Sequence, residues 1–179
     1  MRFFSFLVVA AMFSTSVVCA QTKEEMEASQ KRYEKLTKLC EKEPKETGFP
    51  EVDNYIGTVY LSAIAAVSTT EQLQSLYYRQ IGETKDGVTD VTIKKPTLEE
   101  LTALSATIGT QALAVTAAAE SAKIAVKVSK EQKNPAAVAK ITKALVFTKD
   151  AYPVLLEESV FQTKAIAEMI ETAKSSQNL

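Results

Sequence analysis

Val138, Ile141, Leu145, Thr148, Tyr152, Leu155, Ser159, Gln162, Ile166, Met169 and Ala173 follow one another at alternating steps of three and four residues. A seven-residue rhythm of this kind lies along one face of an α-helix and nowhere else. A helix so long, with one mainly apolar seam, is stable only when other helices cover that seam. The chain is therefore expected to fold as a helical bundle, and the remaining segments supply the partners.

The preceding segments carry their own start and stop signals. Thr22 to about Glu43 is charged and amphipathic, and stops before Pro44 and the loop PKETGFP. A second helix begins at Pro50 or Glu51 and carries Tyr55, Ile56, Val59, Tyr60, Ile64 and Val67, apolar on almost every side as a central helix must be. Within it Thr69-Thr70-Glu71-Gln72 has the form of a capping box, so a break and restart is expected there before the helix ends near Gly82. From Thr84 to Pro96 the pattern is lost: Asp86-Gly87 favours a turn, and Val91 and Ile93 alternate with Thr92 and Lys94 as in an extended segment. Thr97-Leu98-Glu99-Glu100 opens a third helix to about Glu131, and Asn134-Pro135 opens the fourth, which reaches Ala173 or beyond. The short third connection makes those two helices antiparallel neighbours. Pro153 removes a backbone donor inside the last helix and predicts a kink. The expected architecture is all-α: an elongated four-helix up-down-up-down bundle with a kinked last helix and one longer loop at about residues 84–96. With 179 residues, 46% hydrophobic and 24% charged, one such domain from residue 21 to 179 accounts for the chain.

The first 20 residues read as a secretory signal peptide. Arg2 is followed by the apolar run Phe3 to Phe13, too short to cross ~30 Å of hydrocarbon, and Val18-Cys19-Ala20 fits a cleavage site before Gln21. The competing reading makes Cys19 the acylated first residue of a lipoprotein, which would tether the protein to a membrane. Val18 departs from the small residue such signals place before the cysteine, which favours removal. Either way Cys40 has no partner for an intramolecular disulfide. It continues the stripe Met26, Ser29, Tyr33, Leu36 and reads as a small packed hydrophobe.

Several chemistries are excluded by composition. The chain has no histidine, which removes Ser-His-Asp and Cys-His nucleophilic sites, H-E-x-x-H zinc sites and di-iron bundles. Five scattered glycines build neither a P-loop nor a dinucleotide fingerprint. Glu99-Glu100 and Glu157-Glu158 are adjacent on helices and point apart, and Asp86 to Asp90 lacks a calcium-loop pattern. A net charge of −1 with interleaved Lys and Glu offers nucleic acid no basic patch. No cofactor is implied, and a non-enzymatic role is expected.

Three features point toward recognition. Tyr77-Tyr78-Arg79 unites residue types that concentrate binding energy at interfaces, so it is a candidate interaction surface for an unknown protein partner. Gln111, Thr148, Tyr152, Ser159 and Gln162 put polar groups on the seam, where they either fix register or line an inter-helix pocket for a small apolar ligand. Leu101 to Ala119 is free of charge and long enough to span a bilayer, although Thr102, Ser105, Thr107, Thr110, Gln111 and Thr116 favour a soluble helix. The signal, the preference for Lys over Arg and the helical content are similar to those of small exported bacterial proteins. The signal, the absent catalytic residues and the long helical faces together lead to the expectation of an interaction or scaffold module of the cell envelope, with a ligand carrier or a membrane-inserting protein as alternatives.

Overall fold

The computed structural model describes residues 24–177 except 85 and 91, so the signal segment, its cleavage site and Cys19 lie outside the described residues. Among the described residues there are four helices: α1 (24–40), α2 (Pro50–Ile81), α3 (Leu98–Glu131) and α4 (Pro135–Gln177). The all-α bundle expected from the seam is what the chain forms.

The starts of α2, α3 and α4 each have a local cause. Asp53 in the first turn of α2 accepts hydrogen bonds from the Thr47 N–H at 2.6 Å, the Thr47 hydroxyl at 2.6 Å and the Gly48 N–H at 2.9 Å, which fastens the incoming loop to the helix. Burial pushes the Asp53 carboxyl up, but these bonds outweigh it and hold the group below its ordinary value. At α3 both halves of the capping box form: the Glu100 N–H donates to the Thr97 hydroxyl and the Thr97 N–H donates to the Glu100 carboxylate. Asn134 accepts from the Ala136 N–H at 3.0 Å and starts α4. At the end of α2, Gly82 takes the left-handed conformation at φ 72°, and its N–H donates to the Tyr78 carbonyl.

Three details differ from the sequence reading. α1 stops at residue 40 rather than near Glu43. α2 does not break at Thr69 to Gln72, because both threonine hydroxyls are engaged by other helices and cap nothing. The segment after Gly82 is no extended run: Glu83 and Thr89 form an isolated antiparallel bridge, and the Ile93 N–H turns back to the Asp90 carbonyl. Pro153 lies inside the unbroken span of α4, at an exposed position.

The core is divided into two apolar clusters. One gathers Leu36, Val52 to Ala66, Val115 to Ala125 and Ile141 to Leu155. The other gathers Met26, Leu73 to Tyr77, Leu101 to Ile108 and Phe161 to Met169. Reading each helix from its start, α1 runs from the second cluster to the first, α2 from first to second, α3 from second to first and α4 from first to second. That alternation is the up-down-up-down order. Between the clusters, at one level in all four helices, lie the buried polar residues Ser29, Thr69, Thr70, Gln111, Glu158 and Gln162.

Candidate functional site

The polar level is built around two α4 side chains with no exposure at all, Glu158 and Gln162. Glu158 accepts from the Ser29 hydroxyl at 2.6 Å, the Thr70 hydroxyl at 2.9 Å and the Arg32 guanidinium at 2.7 Å, so α1, α2 and α4 meet on one carboxylate. Arg32 also lies 5.3 Å above the centre of the Phe161 ring. Gln162 donates to the hydroxyls of Thr70 at 2.8 Å and Thr69 at 3.0 Å, and its carbonyl oxygen accepts from the Gln111 amide at 2.9 Å. Thr69 in turn donates to the Gln111 carbonyl oxygen at 2.7 Å. Gln111, Gln162 and Thr69 thus form a closed ring in which every member donates forward and accepts from behind. The Gln162 nitrogen also donates to the Ala66 carbonyl at 3.1 Å, which can only accept and so settles the direction of the ring, and the ring satisfies groups that would each cost about 1–3 kcal/mol if buried alone.

The seam residues singled out from sequence divide accordingly. Gln111 and Gln162 are bonded to each other. Ser159 is buried beside them. Thr148 and Tyr152 sit farther along α4, among the first apolar cluster, where the Thr148 hydroxyl donates to the Leu145 carbonyl at 2.9 Å and the Tyr152 hydroxyl donates to the Val115 carbonyl at 3.4 Å. The polar atoms of Gln111, Gln162, Thr148 and Tyr152 thus find partners inside the bundle.

Tyr77, Tyr78 and Arg79 each take a different position. Tyr77 is buried in the second cluster, and Tyr78 packs edge-on against it with ring centres 5.6 Å apart. Arg79 forks onto Glu100 at 2.9 and 3.0 Å and donates to the Lys94 carbonyl at 3.0 Å, closing the loop between α2 and α3 at its base. The Arg79 guanidinium, with help from the Thr97 N–H, holds the Glu100 carboxyl down to about 2. Beside this clamp a cleft of about 360 Å³ is lined by Tyr33, Gln74, Tyr78 and Glu83 among others. Tyr33 donates to Glu71 there, which raises the phenol above its ordinary value, and the Gln74 amide nitrogen is buried without a hydrogen-bond partner.

No family profile, curated protein or solved structure matches this chain.

The surface that departs most from an ordinary bundle is the outer side of α3. Within its most apolar 18-residue stretch only 33% is buried. Thr102, Ala106, Gly109, Leu113 and Ala117 all face outward, and Leu113 is 74% exposed. The threonines here are less polar than they look. The hydroxyls of Thr102, Thr107, Thr110 and Thr116 each donate to the carbonyl four residues earlier, at 2.8 to 3.2 Å, so their methyls are what the surface offers. A shallow groove of about 340 Å³ next to this face is floored by Val115 and flanked by the exposed Leu156 and Val160 of α4. Sequence reasoning found the charge-free run but counted its threonines as polar; the spacing of each to a carbonyl one turn back was the signal that could have corrected this.

Proposed function

We propose that this protein is an exported, non-enzymatic interaction module of the cell envelope, and that the outer face of α3 is the surface through which it works. The observation that carries the reading is the open α3 face: a largely apolar strip, free of charge from Leu101 to Ala119, on a bundle whose central polar level is already hydrogen-bonded. Soluble monomers rarely leave so long an apolar strip uncovered unless something docks on it. The buried polar level supports the same reading, because it fixes the four helices in one register and so keeps the face rigid. Export rests on the N-terminal segment, and a mass beginning at Gln21 is the expected form of the mature chain.

A photo-reactive amino acid at Leu113 tests the reading in the native cell. Adducts at Leu113, absent when the same group replaces the exposed Lys149 of α4, are expected. Equal labelling at both positions, or a turnover activity of the purified protein that point changes abolish, would overturn it. The alternative of a small apolar ligand held near Thr148, Tyr152 and Gln162 has less to stand on, since the Gln162 amide is spent on its neighbours.

A further inference from the structure

The charge pattern along α3 names the partner. We infer that the α3 face docks on the same face of a second copy of this chain, antiparallel, with Leu113 on the two-fold axis. This inference rests on the proposed role of that face.

A two-fold interface places each residue opposite the one equally far on the other side of the axis, so a self-pairing face must be complementary to its own reverse. The outward side of α3 meets that demand about Leu113. Glu99 lies two heptads before it and Lys127 two heptads after it, both exposed, so each Glu99 faces the Lys127 of the other copy at both ends. Between them Thr102 faces Ile124 and Gly109 faces Ala117, while the exposed Glu120 and Lys123, paired with each other at 2.7 Å, face Ala106 and Ala103, so no like charges are opposed. The small residues let the two helices approach closely, and the threonine hydroxyls need no new partner because each is already bonded to its own helix. Leu113, the most exposed of the large hydrophobics among the described residues, is buried against its own copy at the centre. A foreign helix would have to reproduce this charge order by coincidence, and a bilayer would gain nothing from it.

The test uses the full chain with Cys19→Ser and Cys40→Ser, followed by sedimentation over a concentration series and by oxidative cross-linking. Leu113→Cys should cross-link into a dimer, whereas Ile124→Cys should not, because the two copies of position 124 lie ~33 Å apart at 1.5 Å of rise per residue. Leu113→Glu, at an exposed site that leaves the helix content unchanged, should weaken dimerisation more than about tenfold by facing like charges across the axis. Lys127→Glu should weaken it and Glu99→Lys in the same chain should restore it. A monomer at every concentration, a Leu113→Cys chain that does not cross-link, or a charge swap without rescue overturns the inference. If that monomer still gives Leu113-specific photo-adducts with another protein, only the choice of partner fails and the interaction reading stands. Adducts with lipid, or vesicle leakage abolished by Leu113→Glu, overturn the pairing in favour of a membrane surface. A monomer with no adducts sinks both.

Discussion

Arg32→Met is the perturbation that probes the polar level most directly. It removes the guanidinium 2.7 Å from a carboxylate with no exposure, while leaving a side chain that can still pack on the Phe161 ring. Removing one partner of a buried pair costs about 3–5 kcal/mol, because the other charge stays desolvated. Arg32 keeps 18% of its side-chain exposure, so water shares part of its charge and the lower end, about 3 kcal/mol, is expected. The hydroxyls of Ser29 and Thr70 remain on Glu158 but bring no positive charge. With a urea slope of ~2 kcal/mol/M, the unfolding midpoint followed by helical circular dichroism should fall by ~1.5 M at unchanged slope. Arg32→Met/Glu158→Met removes both charges and should cost no more than about 1 kcal/mol, since apolar replacement of a buried pair is often neutral. The two changes should therefore be coupled by about 2 kcal/mol or more. A cost below about 1 kcal/mol for Arg32→Met, as for exposed ion pairs, would refute the account, as would single costs that simply add.

Gln162→Leu strands the buried Gln111 amide and should cost about 1–3 kcal/mol in urea unfolding; adding Gln111→Leu should not double that loss. Glu100 is held at about 2 against an ordinary 4.5, so its contribution to stability is complete above pH 4.5 and is lost as pH falls toward 2. Arg79→Ala should flatten that acid loss, and ~1 M salt should do the same to wild type. Burial pushes the Cys40 thiol up, so in native protein it should react with a thiol reagent at neutral pH at least about tenfold more slowly than after unfolding.

The helices were legible where a local motif decided them and illegible where another helix did. Thr97 to Glu100 is a self-contained capping box, and the structure uses it as one. Thr69 to Gln72 has the same letters, yet its hydroxyls serve Gln111 and Glu158 from elsewhere in the bundle, contacts that no local pattern reveals. Glu158 lies beside the seam, four residues before Gln162, and its charge argues against burial in any local reading; only Arg32 and Ser29, arriving from α1, make that burial possible. Of the candidate residues, Gln111 and Gln162 could be read as register elements from their seam positions alone. The role of Arg79 as a clamp depended on Glu100 and Lys94, and so on how the loop returns.

That clamp has a practical consequence. The connection between α2 and α3 is closed at its base by Arg79 and again by the Glu83–Thr89 bridge, while its tip at Asp86-Gly87 touches little and Val88 lies 62% exposed. Lengthening a loop already pinned at its ends adds little closure entropy, so foreign peptide can be spliced in at the tip without moving either helix. The tip is therefore the place to graft an epitope, a fluorophore tag or new termini, reporting on the protein in its cell while the α3 face stays free.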